Sequence, residues 1–221
     1  MKKIETFTKE FHYLKANDLK RHFDNDEVFR RKIKKYCLPH ILRKSIDEKE
    51  IVYVFIEGMV SFQSLWVKAI SQNKITESTS ILKDIMEIRD ELITNNVLHG
   101  DLVLHNIFKK NDIIILIDNF PPKALPRRYN YLTIQLESCF LMFNLISALS
   151  LNDTKSHKNN IKALLGLYYQ KYKHDITLIN IFKSTVEYAY INFKSRKFKT
   201  AIFKSLYLIS IILIVKVNAN K

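Results

Sequence analysis

His99-Gly100-Asp101-Leu102-Val103-Leu104-His105-Asn106, followed by Ile115-Leu116-Ile117-Asp118, is the stretch of this 221-residue chain whose residue types and spacing can do chemistry. Asp101 is followed five residues later by Asn106, and Asp118 lies twelve residues beyond that. Phosphoryl transfer from ATP needs such a trio. One carboxylate orients the attacking hydroxyl, while an amide oxygen and a second carboxylate hold Mg²⁺ against the phosphates. Mg²⁺ prefers hard oxygen ligands and takes only one or two carboxylates from the protein. Asp and Asn also cap ordinary turns, so the trio gains meaning only from the elements around it.

Those elements are ordered in a consistent way. Short runs at Ile4 to Thr8 and Phe11 to Ala16 read as strands. From Asp24 to Tyr36, Val28, Phe29, Ile33 and Tyr36 recur at helical spacing, with Asp24, Asp26 and Glu27 crowding the expected first turn. Ile51 to Ile56 is a β-branched and aromatic run ended by Glu57-Gly58, the pattern of a buried strand. Ser78 to Asn95 reads as a helix with Ile81, Ile85, Ile88 and Leu92 on one face and Ser78 or Thr79 as its cap. A strand at Ile107-Phe108, a turn at Lys110 to Asp112 and the apolar run Ile113 to Ile117 then form a hairpin ending at Asp118. Beyond the prolines at 121, 122 and 126, helices are expected over about 131 to 150, 159 to 173, 178 to 195 and 200 to 216. Strands, helix, hairpin and a helical half give an α+β fold with two lobes.

With this order in place, the chain resembles the protein-kinase-like fold. The kinase catalytic loop reads H-R-D-x-x-x-x-N, with the metal-binding Asp on the next hairpin; here the chain has H-G-D-x-x-x-x-N and then I-D-N-F. The H-G-D form is similar to bacterial small-molecule kinases, above all the lipopolysaccharide core heptose kinases, with the small atypical protein kinases of the Bud and Rio type as cousins. The resemblance implies a single kinase-like domain over residues 1–221, with 1–58 a reduced N-lobe and hinge and 59–221 the C-lobe. It implies ATP and Mg²⁺ as cofactors, Asp101 as the base orienting a heptose hydroxyl, and His99 bracing the loop. Asn106 and Asp118 would hold the metal, while Glu57 and Gly58, in the stretch from Phe55, would present backbone to adenine. The ATP-clamping lysine and its glutamate partner fall on Lys15 and Glu27, with Lys2, Lys3 and Lys9 as rival lysines and Glu10 and Asp26 as rival acids. Lys123, Arg127 and Arg128 follow the hairpin where a phosphorylated saccharide would dock by paired hydrogen bonds.

The departures from the family pattern are specific. The chain has three glycines, Gly58, Gly100 and Gly166, so it carries no glycine-rich phosphate loop. Asp118-Asn119-Phe120 stands where regulated kinases have Asp-Phe-Gly, and Gly100 replaces the arginine that reads a phosphorylated activation loop. The last two suit a constitutive small-molecule kinase; the first suits a pseudokinase.

Charge points to the class of partner. The formal net charge is +14, and residues 151 to 221 hold 13 basic and 3 acidic side chains, a net of +10. An anionic saccharide or glycolipid is the expected acceptor, with peripheral contact at the cytoplasmic face of the inner membrane; no recognition motif supports nucleic acid. The basic residues Lys194, Arg196, Lys197, Lys199 and Lys204, beside the apolar run 205 to 215, suggest either a membrane-surface element or a buried helix with a basic outer face. The run from Leu206 to Val215 is too short to span a bilayer. Cys37 and Cys139 lack metal-ligand spacing and are expected as reduced core residues of a cytoplasmic protein. His105 is a candidate for substrate contact, and Trp66 is expected in the core rather than as a sugar platform.

Overall fold

The computed structural model describes residues 5–12, 14–119, 133–194, 206, 209 and 210. The fold is α+β, with two small sheets and a mainly helical remainder.

The first sheet has the order β1 (Thr6–Glu10), β3 (Glu50–Val54), β2 (Ile41–Ser45), all antiparallel. Alternation decides its faces. Phe7 and Lys9 of β1 lie opposite Tyr53 and Ile51 of β3, and the Phe7 and Tyr53 rings stack at 4.9 Å. Thr6, Thr8 and Glu10 face solvent. Against the sheet packs α1 (Ala16–Lys32), whose buried stripe is Leu19, His22, Phe23, Asp26 and Phe29. Leu19 and Phe23 join Phe11, Leu14, Ile51 and Tyr53 in a small separate core.

The second sheet joins β4 (Val60–Ser61) to the hairpin β5 (Ile107–Lys110) and β6 (Ile113–Leu116). Lys110 pairs with Ile113, leaving the two-residue turn Asn111-Asp112, and Asn111 takes the positive φ of 54° that such a turn requires. The segment after α1 adds itself to the open edge of β6: Cys37 N–H donates to Ile114 O, and Leu116 N–H donates to Cys37 O, both at 2.9 Å. A capped helix, α2 (Phe62–Ser71), starts at Ser61, whose hydroxyl accepts from Ser64 N–H. Then come α3 (Ile75–Thr94), α4 (Ile134–Ser147), α5 (Leu151–Ser156), α6 (Lys158–Tyr172) and α7 (Leu178–Lys194). α4 is buried on nearly every face, as expected of a helix at the centre of the large core. Trp66 is fully buried there and donates to Leu145 O at 2.8 Å, as its core reading expects.

Several local expectations need correction. Phe11 to Ala16 is not a strand: Leu14 N–H donates to Phe11 O, and this tight turn leads into α1, which starts eight residues before Asp24. Phe11, Leu14, Leu19 and Phe23 therefore bury together rather than alternating. Asp24, Asp26 and Glu27 lie well inside the helix, and Asp18 occupies its first turn. Ser78 is inside α3, where its hydroxyl donates to Lys74 O instead of capping. Cys37 is exposed while Cys139 is buried. Strand β2 and helices α2 and α5 add to the elements read from the sequence. The helix expected over 200 to 216 lies almost wholly outside the described residues. Among the described residues, no helix is long and apolar enough to cross a membrane.

Candidate functional site

The loop from His99 to Asn106 runs between α3 and β5, and a 3₁₀ turn (Leu104–Asn106) closes it. Gly100 has φ +90°, a conformation that suits glycine. His99 is fully buried, edge-on to Phe29, and its Nδ1 accepts from Asp101 N–H at 3.4 Å. Asn106 donates its side-chain N–H to Asp101 O (2.9 Å) and to Asp101 Oδ2 (3.2 Å). These bonds fix the position of Asp101 and settle which end of the Asn106 amide is left as acceptor. Ile117 N–H donates to Asn106 O at 3.0 Å, so the loop and the end of the hairpin are locked in register.

Asp118 follows directly and holds φ +57°, an unfavourable region for a residue with a Cβ. Its Oδ1 lies 2.8 Å from Lys9 Nζ, with both side chains about three-quarters buried. Next to it, Asn119 donates to Asp26 Oδ1 at 2.9 Å. Asp26 is fully buried on α1 and also contacts Arg30 Nε (3.0 Å) and Lys44 Nζ (2.9 Å). A buried carboxylate needs such partners, because an isolated charge cannot be kept ionised in the interior. The fields of Asp26 and Asp118 add to burial in pushing the Tyr53 phenol above its ordinary range.

Sequence-expected residues therefore fall into three groups. Asp101, Asn106 and Asp118 are gathered by the loop and hairpin. Lys15 and Glu27 are not part of this cluster. Lys15 is the exposed residue preceding α1, and Glu27 is exposed, reaching only Lys44 at 3.5 Å. Of the rivals, Lys9 reaches Asp118 and Asp26 reaches the adjacent Asn119, for a geometric reason. Lys9 shares the face of β1 that meets α1, and Asp26 sits in α1's buried stripe, whereas Glu27 is one residue round toward solvent. Glu57 and Gly58 form an exposed turn joining β3 to β4; Gly58 has φ +73° with open space around it. Lys123, Arg127 and Arg128 lie outside the described residues.

His105 reaches solvent beside Lys9 and Asp118. Burial of its inner side lowers its pKa below the usual imidazole value, Asp118 pulls it up and Lys9 pushes it down.

Two residues that sequence reasoning missed hold the loop from behind. Glu137 of α4, fully buried, accepts from Gly100 N–H at 2.8 Å and from His99 N–H at 3.3 Å. Arg89 of α3, also fully buried, pairs with it at 3.0 Å, and its Nε donates to Ser138 Oγ at 2.7 Å. Their signal was present: Glu137 is a lone acid in a long apolar run, and Arg89 interrupts the buried face of α3. Asn144 likewise accepts from Leu104 N–H at 2.9 Å.

The residues fit a hard cation in kind: Asn106 and Asp118 offer an amide oxygen and a carboxylate, the small donor set that Mg²⁺ takes when phosphates supply the rest. Among the described residues, no group of three or more His, Cys, Asp or Glu forms a protein-only metal cage. A separate cavity of about 630 Å³, lined by Arg21, Asn25, Val28, Asn96 to Leu98 and Thr133 to Gln135, contains none of these residues. No protein-family model matches the chain, and no curated protein matches it in sequence.

Proposed function

We propose that this chain is an ATP-dependent kinase of protein-kinase-like, two-lobed architecture. Its proposed acceptor is a heptose hydroxyl of the lipopolysaccharide core, met at the cytoplasmic face of the inner membrane. The observation that carries the kinase reading is the contact of Lys9 with Asp118 beside the Asp101–Asn106 pair. It unites a strand lysine, a hairpin aspartate and a catalytic-type loop from three distant parts of the sequence. Support also comes from the two separate cores joined through Glu57-Gly58 and from Asp26, which ties α1 to the residue after Asp118.

Asp101 would orient the acceptor hydroxyl and take its proton as that oxygen bonds the γ-phosphorus of ATP, while the bond from this phosphorus to the β–γ bridging oxygen breaks and ADP leaves. The Asp101 carboxylate is held for this by Asn106 and by the backbone bond to His99. Asn106 and Asp118 would hold Mg²⁺, which would supply positive charge against the phosphates. Lys9, 2.8 Å from Asp118 Oδ1, is the cation that would meet the phosphate oxygens. Phe55 N–H is taken by Glu5 O at 2.9 Å, so Glu57 and Gly58 would be left to present backbone to the base. Charge supports an anionic acceptor, with a net of +10 after residue 150, and the glycolipid and its membrane face are what the resemblance to heptose kinases implies.

Transfer of label from γ-labelled ATP to core glycolipid tests this directly. Asp101→Ala should lower the rate by ~10²–10⁴-fold, and Asp118→Ala should remove Mg²⁺ dependence together with activity. Full activity in either variant rules the assignment out. Label appearing in protein instead would favour the Bud or Rio type.

A pseudokinase is the second reading. It is favoured by the absence of a glycine-rich loop and by β1 lying at the edge of a three-stranded sheet among the described residues. A melting temperature indifferent to ATP, with and without Mg²⁺, would select it.

A further inference from the structure

α7 packs on α4 through one face, burying Ile181 and Ser184. Its opposite face carries Leu178, Ile179, Phe182 and Val186, which are 57%, 67%, 69% and 51% exposed. Single exposed apolar residues need no explanation, but four at i, i+1, i+4 and i+8 form one stripe, about 12 Å long at 1.5 Å per residue. The charge around it is mainly basic, although Glu187 follows Val186 directly. Lys183 is the only charged residue from 178 to 186, and it is exposed, as are Lys173 and His174 just before the helix. The nearby acid, Asp175, is turned inward, its Oδ2 accepting from Ser138 Oγ at 3.0 Å.

We infer that this face of α7 docks on an anionic phospholipid surface, with Ile179 and Phe182 entering the headgroup boundary and Lys173 and Lys183 meeting lipid phosphates. An apolar stripe flanked by cations is the pattern of an interfacial helix. A second copy of the chain is disfavoured as occupant. Pairing the stripe with itself would bring Lys183 against Lys183 in a molecule of net charge +14. The inference rests on the kinase reading for its purpose, access to a glycolipid hydroxyl, but its observations are independent of phosphoryl transfer.

The test is co-sedimentation of the full chain with phosphatidylcholine vesicles, with and without phosphatidylglycerol. The wild-type chain should pellet only with the anionic vesicles, and less as salt is raised. Ile179→Glu/Phe182→Glu should reduce binding at least tenfold, Lys173→Glu/Lys183→Glu several-fold, and Leu42→Glu, at an exposed apolar position on β2, not at all. Should the glutamate pair fail to fold by circular dichroism, Ile179→Ser/Phe182→Ser replaces it with the same expectation. Wild-type chain left in the supernatant, or folded stripe variants that pellet like wild type, would overturn the docking. So would a dimer in light scattering that the stripe variants split. ATP-induced stabilisation, read on the same samples, reports on the kinase reading alone and should be equal in wild type and stripe variants.

Discussion

Lys9 Nζ lies 2.8 Å from Asp118 Oδ1, so a lysine of the first strand rests on the carboxylate that ends the hairpin. The pair places one charge of each sign beside His105, whose imidazole responds to both. Its pKa lies below the usual value of about 6.5. The unfolded chain therefore binds more protons in the window between the two values, and this group's contribution to stability is lost as pH falls through the folded pKa. An NMR titration of the His105 ring should show a midpoint below 6.5. Asp118→Asn should move it further down and Lys9→Met should move it up; opposite signs would exclude the juxtaposition.

Nucleotide binding should distinguish Lys9 from Lys15. Lys9→Met should abolish ATP-induced stabilisation in a thermal-shift experiment, whereas Lys15→Met, at the exposed start of α1, should leave it within error. Equal loss in both would return the clamp to an undecided lysine.

The buried Arg89–Glu137 pair should dominate stability around the loop. Removing one partner leaves an uncompensated buried charge, so Arg89→Met or Glu137→Leu should each cost about 3–5 kcal/mol in urea unfolding. Replacing both with apolar residues often restores a simple ion pair's stability. Here it should not, because the N–H groups of His99 and Gly100 would still lose their acceptor. A double variant as stable as wild type would show that the loop finds other partners.

Asp26 and its neighbour Glu27 provide an internal control. Asp26→Ala removes a buried partner from Arg30, Lys44 and Asn119 at once and should cost several times more than Glu27→Ala, which removes an exposed contact worth about 0–1 kcal/mol. Comparable losses in thermal unfolding would contradict the burial of Asp26.

Thiol chemistry should separate the two cysteines. Burial pushes the Cys139 thiol up to about 12, so almost no thiolate forms near neutral pH. Cys37 is exposed and should be labelled by a maleimide in the native state, while Cys139 should label only after unfolding.

The site was legible in the sequence where its parts are contiguous. The spacing of Asp101, Asn106 and Asp118 survives folding because a loop and a two-residue hairpin turn leave them little freedom. That Lys9 rather than Lys15 lies beside Asp118 was not legible, because choosing among several lysines requires the strand's face. The run Phe11 to Ala16 also reads as β until its turn into α1 is known. Asp26 nevertheless carried a signal in its spacing, three residues from both Phe23 and Phe29 on the buried stripe. Glu137 was hidden differently: an acid within a buried helix announces a partner but not which one, and Arg89 and the loop amides meet it only in three dimensions.

The two hydrogen bonds between Cys37 and β6 also act as a mechanical strut. They join the exit of α1, and with it Asp26, to the strand that leads to Asp118. A rotation of α1 away from the hairpin must break this short ladder before it can widen the space between Lys9 and Asp118. The amides of Cys37 and Leu116 should therefore exchange slowly with solvent.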